Sequence, residues 1–175
     1  MTPRARITAA GAAPMPRRRL RSARRGAIIG AVGTAGSART CGACGQALPP
    51  ALRSWEMFIP IEPPSQNVLA TNKGASRHRY RKLRDDYTTM LRGYRRLYRI
   101  PEALGRRRVF IDRVFNGRGR AYDRGNLVGG CKPLLDALVA VGLLVDDAPT
   151  FLEDHYSQRR GDEPGVVVRL EELAS

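Results

Sequence analysis

Apolar positions organise the chain only from Trp55 onward. Residues 1–40 mix Ala, Arg, Gly and Pro with no hydrophobic period. Such a segment cannot bury enough surface to offset its ordering entropy, so it is expected to be disordered. Met57-Phe-Ile-Pro-Ile61 reads as a short strand, stopped by Pro63 and Pro64, which cannot donate to a ladder. Tyr80, Leu83, Tyr87, Met90, Leu91, Tyr94 and Leu97 then recur at three- and four-residue steps, predicting an amphipathic helix over residues 76–98. Arg107 to Phe115 alternates like a strand. Leu134, Leu135, Leu138 and Val141 predict a second helix over 130–141, with Pro133 in its first turn and Gly142 as its stop. Two strands, 150–158 and 165–170, close the chain, and Arg160-Gly-Asp-Glu-Pro164 between them reads as a hairpin turn. The order β-α-β-α-β-β predicts one small α/β (α+β) domain over residues 55–175 with a mixed sheet. A disordered basic tail, residues 1–54, precedes it.

Charge changes this picture. The 31 Lys and Arg against 16 Asp and Glu give a net +15, unevenly spread. Residues 1–54 carry +10, 55–100 carry +6, 101–122 carry +4 and 123–175 carry −5. A field of this size favours a polyanionic partner, nucleic acid first, and disfavours a small cationic substrate. The tail reads as a nucleic-acid-clinging arm, as a solvated extension, or as residues upstream of a start at Met57. The outer face of the first helix, including Arg81 and Lys82, reads equally as a solvated face or a phosphate-facing one. No run of 18 apolar residues exists, so no transmembrane helix is expected. The stretch after Arg17–Arg25 is too poor in strong hydrophobes for a signal peptide. Three cysteines make no disulfide framework, which favours the cytoplasm. Cys41-Gly-Ala-Cys44 has half the spacing of a zinc ribbon; lacking a second pair, it reads as a vestigial or fortuitous knuckle.

Two acidic groups stand out in this basic setting, Asp123 and the pair Asp146-Asp147. Hard cations such as Mg²⁺ take one or two protein carboxylates together with phosphate oxygens. Such cations can stabilise both reacting oxygens of phosphodiester hydrolysis. Lys132, at the start of the second helix, could neutralise a phosphate in the transition state. From spacing alone, ordinary turns explain these acids as well.

The stretch from Asp123 to Asp147, Asp-Arg-Gly-Asn-Leu-Val-Gly-Gly-Cys-Lys-Pro-Leu-Leu-Asp-Ala-Leu-Val-Ala-Val-Gly-Leu-Leu-Val-Asp-Asp, resembles the core of the RusA family of Holliday junction resolvases. Members carry Asp-x-Asp-Asn-Leu, a helix with Lys and Asp-Ala-Leu, then Gly, a short apolar run and Asp-Asp. Pro63-Pro-Ser-Gln-Asn67 is similar to the Pro-Pro-Ser-x-Asn after the family's first strand. The resemblance spans about residues 57–170. It implies a bacterial or phage-encoded cytoplasmic homodimer that binds four-way junction DNA and nicks two opposed strands with Mg²⁺, or alternatively Mn²⁺. Asp123 matches the first motif aspartate, Asp147 the later metal-binding one and Lys132 the catalytic-site lysine. Asp146 is the neighbouring carboxylate. Arg118, Arg120 and Arg124, with Arg81 and Lys82, are the expected DNA contacts. Gly129-Gly130-Cys131 looks like an insertion.

One departure matters: Gly125 stands where the family has its second motif aspartate. Asp112, Asp136 or Asp146 are candidate substitutes, and a turn with positive φ would by itself explain the glycine. Three readings therefore follow: an active junction nuclease, a branched-DNA-binding protein with impaired or absent catalysis, and an unrelated basic nucleic-acid-binding protein. The tyrosine stripe of the first helix is expected to serve the core or part of a dimer contact.

Overall fold

A computed structural model describes residues 39–40, 45, 47–48, 51–70, 73–117 and 119–174. Most of the basic tail, Cys41, Cys44 and Arg118 lie outside the described residues. Arg39–Thr40 (β1) and Ala47–Leu48 (β2) pair as a small antiparallel ribbon. The main elements are Ala51–Ile59 (β3), Gln66–Ala70 (α1), Lys73–Leu97 (α2), Arg107–Phe115 (β4), Arg124–Gly130 (α3), Lys132–Ala140 (α4), Leu152–Arg160 (β5) and Gly165–Leu173 (β6). The expectation of a disordered tail to residue 54 therefore fails at β1, β2 and the start of β3. Ala51–Ser54 lack an apolar pattern, but their backbones pair with Glu171–Leu173 and lengthen the strand.

The fold is α+β, built on a mixed four-stranded sheet of order β3-β6-β4-β5. Only β4 and β5 run parallel. The hairpin expected at 160–164 is not one: β6 lies on the far side of β4 from β5. Both β4 and β5 finish at the same end of the sheet, and the connection passes over the end of β4. There Gly161 N donates to Phe115 O at 3.0 Å, and a Cβ on Gly161 would come within 2.6 Å of Val114. Turn residues signal a reversal, but they do not reveal which strand the chain returns beside.

In β3 the period-two pattern buries Trp55, Met57 and Ile59 against α2 and α4. Tyr87 and Leu91 of α2 are fully buried in that layer, with Leu134 and Leu138 of α4. Tyr87 and Tyr94 donate to Ile61 O and Phe58 O, so the tyrosine stripe serves the core. Central β4 is buried along most of its length and buries three arginines, which its sequence alternation does not suggest. Arg107 donates to Leu143 O and Pro101 O and lies over the Trp55 ring. Arg108 pairs with Glu153 and Glu171. Arg113 pairs with Glu62 and stacks on Tyr122.

The second helix begins earlier than its apolar pattern. Asp123 caps α3, and only a break at Cys131 separates α3 from α4. Pro133 explains the break, since it has no N–H to offer the carbonyl four residues back. Gly142, at φ +69°, ends α4 as expected, with Leu143 N donating to Leu138 O.

Candidate functional site

The two stretches singled out in the sequence pack against each other. A Cβ on Gly130 would overlap the Pro64 carbonyl, its carbon only 3.0 Å away, and one on Gly129 would reach within 2.7 Å of Gln66 Cγ. These glycines, which read as an insertion, let the Pro63–Asn67 segment lie on α3. At that contact Asn67 N donates to Asn126 Oδ1 at 3.2 Å. Asn126 Nδ2 in turn donates to Asp123 Oδ2 at 2.5 Å, and Asn126 N to Asp123 Oδ1 at 2.9 Å. These bonds from Asn126 hold the exposed Asp123 carboxyl below its ordinary pKa and so keep it ionised.

A second cluster forms at the first turn of α4. Lys132 Nζ contacts Asp147 Oδ2 and lies 3.0 Å from Asp136 Oδ1. Tyr80, from α2, donates to Asp136 Oδ2 at 2.5 Å. Burial, then the bond to Asp136, raises the Tyr80 pKa, so the phenol stays protonated and donating. Thus Lys132, Asp147 and Asp136 come together, whereas no bond or ion pair among the described residues joins them to Asp123. Asp146 closes a turn, accepting from Asp147 N at 2.6 Å and Ala148 N at 3.3 Å. Asp112 is held on the sheet by Ser157 and Arg159, so it does not replace the missing aspartate.

Gly125 lies in the first turn of α3 without a positive φ, so the turn explanation for this glycine falls. A Cβ there would meet only Asp123 Oδ1, at 3.4 Å. The position accepts a side chain.

Arg81, Arg120 and Arg124 are exposed, and Lys82 is exposed with an ion pair to Asp86 at 2.8 Å. The site residues that sequence reasoning left without a role are Asn67, Asn126 and Tyr80. The Asp-x-x-Asn spacing of a helix cap could have signalled Asn126. Nothing in the spacing separates Tyr80 from the other stripe tyrosines.

Among the described residues no three His, Cys, Asp or Glu side chains are grouped to hold a metal ion. The donor set therefore does not make an all-protein cage. A hard cation held by a single carboxylate, with water and phosphate oxygens at its remaining sites, needs no such cage, and the ionised Asp123 is such a carboxylate, without a cationic partner among the described residues. Among the described residues no helix is long and apolar enough to cross a membrane. No protein-family model and no curated protein matches the chain.

Proposed function

We propose that the chain is a metal-dependent endodeoxyribonuclease that resolves four-way DNA junctions in recombination and repair. It would act as a cytoplasmic homodimer of bacterial or phage origin, with one site for each of two opposed strands. The observation that carries this reading is the joining of separate motif segments. Asn67 and Asn126 fix an ionised Asp123, while Lys132 meets Asp147 across fifteen positions beside Asp136.

Asp123 on α3, and Asp147 with its neighbour Asp146 beyond α4, are the carboxylates that would hold Mg²⁺ or Mn²⁺, whose chemistry is to polarise the phosphodiester and the attacking water. Asn126 aims Asp123. Lys132 moves its charge from Asp147 to a non-bridging phosphate oxygen as negative charge grows there. Tyr80 holds Asp136 in place to receive the other side of the ammonium. Arg81, Lys82, Arg120 and Arg124 supply phosphate contacts on the arms.

A second reading, a junction-binding protein with impaired cutting, draws support from Gly125 and from the ion pair that neutralises Asp147. A synthetic four-way junction separates the two. Under the nuclease reading the wild type nicks it in Mg²⁺, Asp123→Asn and Asp147→Asn abolish nicking while sparing binding, and Gly125→Asp raises activity. Tight junction binding with no divalent-dependent nicking by wild type or Gly125→Asp would leave the binding protein. No preference for four-way over linear DNA would sink both.

A further inference from the structure

Beyond the acidic cluster, the C-terminal half of α2 and the end of α4 enclose a cleft of about 620 Å³. Four arginines, Arg92, Arg95, Arg96 and Arg99, line it against one acid, Glu102. Arg95 serves the fold, since its guanidinium donates to Val141 O at 2.5 Å and to Glu102 at 3.3 Å, finishing the C-terminus of α4. The other three are exposed, and among the described residues none of their side chains has a hydrogen bond or ion pair. Glu102 is therefore already engaged, and three positive charges face one concave surface without compensation.

Arg99 adds an independent observation. It has a φ of +50°, the only positive value at a non-glycine residue among those described. It occupies the left-handed position that ends α2, where Ile100 N donates to Arg95 O and Arg99 N to Arg96 O. Glycine is the residue that fits this position without strain, as Gly142 does at the end of α4. An arginine held there at a cost, with its side chain at an open cationic cleft, indicates that the charge is wanted.

We propose that this cleft binds the phosphodiester backbone of a duplex DNA arm, as an anchor separate from the acidic cluster. This rests on the DNA reading above. The cleft adjoins the acidic cluster through α4, whose Val139 and Ala140 line it three and four residues beyond Asp136, about 4.5 and 6 Å along the helix axis. An arm engaged at the acidic cluster therefore has the arginines beside its backbone.

The test uses the full chain without divalent metal, binding linear duplex and junctions of different arm length. Removing two phosphate contacts in Arg92→Gln/Arg96→Gln should lower the slope of log K against log salt by about 1.8. Arg99→Gly should lower it by about 0.9 and raise the melting temperature, a pairing that a purely structural arginine would not give. Linear duplex and junctions with arms of about ten and twenty base pairs should show the same losses, because the cleft meets the backbone and not the branch point. Unchanged slopes in all variants would overturn the proposal. Pyrophosphate or ATP held by wild type but not by the variants, with DNA slopes unchanged, would make the cleft a free-polyphosphate site and also overturn it. In a parallel assay with Mg²⁺, nicking retained beside unchanged slopes would refute the cleft alone. Reduced slopes in a protein that never nicks would uphold the cleft and refute the nuclease.

Discussion

Replacing Gly130 by alanine tests whether the proline segment and the aspartate helix are one structure. The new Cβ would sit 3.0 Å from the Pro64 carbonyl carbon and overlap its oxygen, with Gln66 N at 3.5 Å. All three atoms belong to the backbone, so no side-chain rotation relieves the overlap and the segment must retreat from α3. Overpacking of this kind costs about 1–3 kcal/mol, and the backbone origin of the clash places it near the top of that range. Alanine regains about 1 kcal/mol of helix propensity, leaving a net loss of roughly 2 kcal/mol. Gly125→Ala is the matched control. Its Cβ meets nothing closer than Asp123 Oδ1 at 3.4 Å, so it should be neutral or stabilise by about 0.5–1 kcal/mol. Urea unfolding of the two variants should therefore differ by about 2–3 kcal/mol in opposite directions from wild type. Hydrogen exchange supplies the local readout: the Asn67 amide, which donates to Asn126 Oδ1, should lose protection in Gly130→Ala and keep it in Gly125→Ala. Equal stabilities for the two variants would refute the close approach of Pro64 to α3, and with it the bracing of Asp123.

Tyr80→Phe removes the donor to Asp136 and should cost about 1–2 kcal/mol in urea unfolding; an unchanged midpoint would mean that the bond carries nothing. Arg108→Met removes one of the arginines paired with the buried Glu171, Arg169 remaining at 3.3 Å, and should cost about 2 kcal/mol in urea unfolding; an unchanged midpoint would mean that the Arg108 pair carries nothing. Burial pushes the Cys131 thiol up to about 12, while in the unfolded chain it titrates near 9.0. The folded state thus holds a proton that the unfolded state releases, so this contribution to stability is complete below pH 9 and is lost as pH rises from about 9 to about 12. Cys131→Ala should flatten that alkaline decline in a pH series of denaturation midpoints; an unchanged decline would assign it to other groups.

The elements were legible in the sequence where one face is apolar and the other polar. The stripe from Tyr80 to Leu97 gives α2 to within three residues, and the alternation in Arg107–Phe115 gives β4 at its bounds. Strand order was not legible. Whether β6 returns beside β5 or across β4 depends on tertiary pairing, and residues 160–164 suit either path. The buried arginines of β4 escaped for a related reason. A charged residue in an alternating strand normally marks the solvated face, and only the three-dimensional neighbours, such as Glu153, Glu171 and the ring of Trp55, make its burial tolerable.

The candidate site divides the same way. Motif spacing singled out Asp123, Lys132 and Asp147, but where Asp123 sits depends on residues with no chemistry of their own. Gly129 and Gly130 matter because they lack side chains: the space they leave admits the Pro64 carbonyl and Gln66, and that contact sets Asn67 against Asn126. Asp123 is therefore positioned through a neutral frame, insensitive to salt. Lys132 is positioned through charge, between Asp136 and Asp147, and α2 supports that side through Tyr80. The two halves respond to different perturbations. High salt should loosen Lys132 from its acids while leaving Asp123 aimed, whereas filling Gly130, which meets the Pro64 backbone, should disturb the Asn67–Asn126 brace while leaving the lysine cluster intact. Gly125 stands in the first turn beside Asp123, on the neutral half, in open space. An aspartate added there would join the carboxylate that is already ionised and held by bonds to neutral groups. It would double the negative charge at that end of α3 without competing for Lys132, which is the arrangement a divalent cation would favour.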